Sequence, residues 1–134
     1  MRWRWSTFIF VALCFLAPSF ALAHHSITAE FDPSKVIVLK GTITAVDWVN
    51  PHVYLHLDVT DENGKTANWA FETYPPAVLK RGGLNRETFK EGQVVSIDAF
   101  APKDGTKNLA YLKHITFADG HSVEIWIGDP GQYK

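Results

Sequence analysis

Cysteine is nearly missing from this 134-residue chain: the one copy, Cys14, lies close to the N-terminus. Beyond it there is no material for a disulfide scaffold, a cysteine-ligated metal or a thiol nucleophile. A strong excess of charge of one sign is missing too, with 13 basic side chains against 14 acidic ones. Nucleic-acid binders usually carry a basic face, so nucleic acid is not expected as a partner. No internal repeat, low-complexity stretch or linker divides the chain, whose length suits one domain with one core. Neither a G-x-S-x-G serine nor an H-E-x-x-H helix occurs. With no catalytic constellation recognised, the chain is not expected to be an enzyme.

What is present begins with "MRWRWSTFIFVALCFLAPSFALA", which runs from Arg2 and Arg4 through an apolar stretch, Phe8 to Leu16, to small residues at Ala21 and Ala23. That layout predicts a signal peptide over 1–23, cleaved after Ala23, and so a periplasmic or secreted protein. The apolar run is shorter than the about 20 residues a span requires, so no stable membrane insertion is expected after cleavage. Two alternatives are weaker: lipidation at Cys14, which the bulky Leu13 disfavours, and retention as an uncleaved anchor. Removal of 1–23 takes two basic side chains and no acidic one, leaving a mildly acidic domain over 24–134.

Within that domain, "HHSITAEFDPSK" reads as a polar lead-in with a turn at Asp32-Pro33. The β-branched run from Val36 to Val49 predicts a long strand bent at Gly41, and Asn50-Pro51 a turn. In "HVYLHLDV", Val53, Leu55, Leu57 and Val59 share one face and His52, Tyr54, His56 and Asp58 the other, as in a half-buried strand. "TANWAFET" is the third strand. A two-residue Asn63-Gly64 turn would set Leu55 against Glu72 and bring a carboxylate to the core face. A three-residue loop, with Gly64 left-handed, sets Leu57 against Trp69, Leu55 against Phe71 and Tyr54 against Glu72, and is preferred. "PPAVLKRGG" predicts a short helix ended by Gly82 or Gly83, with a capped turn at Asn85 to Lys90. "GQVVSIDAFAP", "LAYLKHITF" and "SVEIWI" supply two or three further strands. The fold class is all-β: an OB-like barrel of five to six strands with one short helix between strands 3 and 4, a generic small barrel or sandwich being the competing architecture.

The "HHS" start, "FDPSK", the "NPH" at Asn50 to His52, "NWAFE" at Asn68 to Glu72, the "L-K-RGG" helix end and the late "KDG" and "DG" turns together carry a resemblance. The chain is similar to an uncharacterised family of secreted bacterial proteins, domain-of-unknown-function family 6152, over nearly all of residues 24–134. The resemblance implies export and an OB-like barrel, and no known activity. By motif His24, His25, Asn50, Pro51, His52, Trp69 and Glu72 match family positions, whereas His56 does not.

Two groups of residues can carry chemistry. If cleavage frees His24, its amine and ring nitrogen can chelate one ion and His25 adds a second imidazole, a nitrogen-rich set favouring copper, then zinc. The bland alternative is a polar start. The second group lies on the outer face of the second and third strands, where His52, His56 and Glu72 can form a copper- or zinc-type site, with Asn50, Tyr54 and Trp48 as a ligand face. Its bland alternative is a solvated strand face. The two groups can also act jointly, with the freed N-terminus folded back onto His52 and Glu72. Trp69 is expected on the core face, whereas Trp48 and Trp126 are undecided between core and surface; His114 and His121 read as surface residues. The leading expectation is an exported, non-enzymatic binding module with copper or zinc as its ligand. The alternative is a structural or interaction domain that engages an unknown periplasmic partner, a protein or saccharide, through its outer strand face.

Overall fold

The computed structural model describes residues 26–128. The expected cleavage position after Ala23, and with it His24 and His25, lies outside the described residues. Two strands, β2 (Tyr54–Thr60) and β3 (Thr66–Glu72), form a hairpin. Its register is the one parity requires: Leu57 pairs with Trp69, Leu55 with Phe71 and Tyr54 with Glu72. The loop closes on Asp61 and Lys65, with the Gly64 N–H bonded to the Asp61 carbonyl at 3.0 Å and Gly64 at φ 78°. Val53, Leu55 and Leu57 are fully buried, each contributing roughly 1.5–3 kcal/mol.

A long first strand, β1 (Phe31–Asp47), curves so that its first part pairs with β4 (Val94–Pro102) and its second with β2. Gly41 sits where the two pairings meet; a Cβ there would lie 2.5 Å from the Asp58 carbonyl oxygen, which is why the position has no side chain. β5 (Leu109–Phe117) pairs antiparallel with β4 and with the short β6 (Ser122–Glu124). Ala70 to Glu72 of β3 then pair in parallel with Leu109 to Tyr111 of β5, and the sheet closes into a ring.

The lead-in requires correction. Instead of an irregular polar stretch, Ile27–Glu30 form one helical turn, α1, and β1 already begins at Phe31. Ile27 and Phe31 are buried, and this apolar pair anchors the segment. The Asp32-Pro33 turn survives as an interruption of the β1–β4 ladder between Asp32 and Val36, with Asp32 Oδ1 accepting from the Ser34 N–H and hydroxyl. The short helix between strands 3 and 4 is α2 (Pro76–Arg81); Leu79 faces the core and Gly83, at φ 83°, ends the helix with the Leu84 N–H bonded back to the Leu79 carbonyl.

A second apolar layer covers part of the ring from outside. Tyr111, fully buried, contacts Phe31, Tyr74, Phe100 and Trp126 at centroid distances of 5.6 to 6.5 Å. Trp126 is thus partly buried against this layer. No helix among the described residues is long and apolar enough to cross a membrane.

Candidate functional site

A row of paired residues runs across the outer face: Asp47 on β1, Tyr54 on β2, Glu72 on β3 and Tyr111 on β5. Because Leu55 and Phe71 point to the core, their neighbours Tyr54 and Glu72 point away from it. Glu72 is nevertheless only 6% exposed. Its carboxylate is held from two sides, Oε2 accepting from the Tyr54 hydroxyl at 3.0 Å and Oε1 paired with His52 Nδ1.

His52 follows the Asn50-Pro51 turn, whose peptide bond is cis, and the chain is pinned just beyond it. The Val53 N–H bonds to the Tyr74 carbonyl at 3.2 Å, and the Thr73 hydroxyl donates to the Val53 carbonyl at 3.0 Å. These bonds extend the β2–β3 ladder and fix the backbone under the imidazole. Burial, then the charge of Glu72 and its hydrogen bond, push the Tyr54 phenol up to about 12. A smaller contribution in the same direction comes from the charge of Glu30.

The strand-face residues divide into two pairs. His52 joins Glu72, while the His56 ring turns the other way and bonds through Nε2 to Asp47 Oδ2 at 2.8 Å. Asn50 is exposed at the turn, and Trp48 is buried at 8% exposure, packed in the core rather than presented on a ligand face. A bulge causes this. Ile43 pairs with Leu57 but Val46 with Leu55, three residues of β1 against two of β2, so the parity of β1 flips and Trp48 turns inward. Arg86 covers it, with its guanidinium 6.0 Å from the ring centroid and donating to the Trp48 carbonyl at 3.3 Å.

His114 and His121, expected as surface residues, each face an aspartate. His114 Nδ1 lies 3.9 Å from Asp98 Oδ2 across the β4–β5 ladder, and His121 pairs with Asp119 in the tight turn before β6. An aspartate two residues before a histidine in a D-G turn was a readable signal; the cross-strand pair was not. Among the described residues no three histidine, cysteine, aspartate or glutamate side chains converge in a way that could hold a metal ion by themselves.

The fold and this face define an all-β, ring-closed domain with a histidine–carboxylate–tyrosine group on its outer surface. The chain belongs to the family of unknown function DUF6152, which matches residues 13–110. No curated protein and no solved structure matches it.

Proposed function

We propose that this chain is an exported, non-enzymatic binding module that holds copper or zinc through His52 on the strand face together with His24 and His25 of a cleaved N-terminus. One observation carries the reading: the His52 ring is fixed through Nδ1 on a buried carboxylate, and the partly exposed ring has a second nitrogen with which to bind a ligand. Support comes from the layout of residues 1–23, which is that of a cleaved signal. The ring itself is read as an OB-like barrel, supported by its strand order, its parallel β3–β5 closure and the helix between the third and fourth strands.

Mass spectrometry of the protein recovered from expressing cells should find His24 as the first residue and copper or zinc retained. Calorimetric titration of that protein should give a Kd for copper tighter than that of the His24→Ala, His52→Ala double variant; equal affinities would sink the reading.

A second reading, an interaction domain, is favoured by a different feature. Among the described residues, β1 from Val36 to Lys40 is paired on its β4 side alone, and Val36 and Val38 are 44% and 66% exposed along that stretch. An open apolar edge can accept a strand from a protein partner. Photocrosslinking from position 38 in cells tests this; a chain that gives no protein adduct would count against it.

A further inference from the structure

Each of the four histidines among the described residues faces a carboxylate, but the carboxylates differ sharply in exposure. Asp47, Asp98 and Asp119 are 58%, 37% and 70% exposed at the side chain, whereas Glu72 is 8% exposed. Surface pairs of the first kind need no purpose beyond local charge balance. A buried carboxylate costs more and has to be compensated by the groups bonded to it.

Resting on the metal reading above, we infer that Glu72 and Tyr54 are not ligands but a fixed support presenting one atom, His52 Nε2, to a nitrogen-preferring divalent cation, Cu(II) or Zn(II). The site thereby rejects hard cations such as Ca(II) and Mg(II). Both oxygens of Glu72 are engaged, Oε2 by the Tyr54 hydroxyl and Oε1 by His52 Nδ1, and the group is buried. A carboxylate so placed fixes which imidazole nitrogen carries the proton and which keeps its lone pair, the arrangement that raises the basicity of a metal-binding histidine. Hard cations need six or so oxygen ligands around them. Glu72 offers them no open face, and Asp47, which pairs across the ladder with Tyr54, is bonded to His56. His56 in turn has its Nε2 committed to Asp47 and stands outside the set.

The test uses the protein recovered from expressing cells and its Glu72→Gln, Tyr54→Phe, His56→Ala and His52→Ala variants. Each is titrated with copper, zinc, calcium and magnesium, with X-ray absorption on the copper-loaded wild type and melting curves to confirm folding. Glu72→Gln should weaken copper binding about 10- to 100-fold, Tyr54→Phe by a smaller factor, and His56→Ala not at all. The copper shell should contain imidazole nitrogen and no carboxylate oxygen from the domain, and calcium and magnesium should not bind. If Glu72→Gln fails to fold, Tyr54→Phe decides: an affinity equal to wild type overturns the support role. So does a carboxylate oxygen in the copper shell, or calcium bound as tightly as copper, and in each of these cases the metal reading stands. If wild type binds copper no tighter than His52→Ala, the metal reading itself falls and the inference with it.

Discussion

Tyr54 is half-buried with its phenol donating to a carboxylate, and both circumstances favour the protonated form. In an unfolded chain the phenol titrates near its ordinary value of 10.0; in the folded protein it is pushed up to about 12. Below pH 10 both states hold the proton, so its contribution to stability is fully present there. As pH rises to 12 the unfolded chain releases the proton while the folded one keeps it, and that contribution is lost across the window. An ultraviolet difference titration of wild type against Tyr54→Phe should show one phenol ionising near 12. In Glu72→Gln, which removes the neighbouring charge but not the burial that is the largest cause, the same phenol should ionise lower than in wild type and still above 10. An unchanged midpoint would mean that the carboxylate has little influence on this phenol.

Among the elements, two glycines separate steric from conformational demand. Gly41→Ala would drive a Cβ against the Asp58 carbonyl at 2.5 Å, in backbone that cannot yield without loosening the β1–β2 ladder; the expected loss is about 1–3 kcal/mol. Gly64→Ala meets no atom within 4 Å but requires φ 78° of a residue with a side chain, at about 1–2 kcal/mol. Urea unfolding measures both, and only Gly41→Ala should also speed amide exchange along β1. The hairpin, its register and the Tyr54–Glu72 pair were legible in the sequence because alternation in "HVYLHLDV" sets the three-residue loop against a two-residue turn that would bring Glu72 to the core face. α2 was legible from its prolines and closing glycines. What was not legible depends on distant partners. The bulge between Ile43 and Ala45 flips parity without a sequence mark, which hid the inward turn of Trp48 and the Asp47–His56 pair. The lead-in lacked alternation because only Ile27 and Phe31 are anchored in it. The β3–β5 closure joins segments with no shared local pattern.

For the molecule as a whole, the ring is a staggered one. Followed partner by partner, Val36 of β1 leads to Phe100, Tyr111, Glu72, Tyr54 and then back to β1 at Asp47 rather than at Val36. The stretch of β1 between those two residues is therefore the pitch of the closed sheet. Deleting Thr44, within the bulge, should turn Trp48 outward and leave the ring unable to close in register, seen as loss of cooperative unfolding. A glycine inserted after Asp104, in the exposed β4–β5 turn, should change the unfolding midpoint little. It follows that β1 works as a ruler for the whole domain. Relatives in the family should vary in length at the turns while keeping constant the number of residues from Val36 to Asp47, because that one spacing decides the register at which β1 meets β4 on one side and β2 on the other.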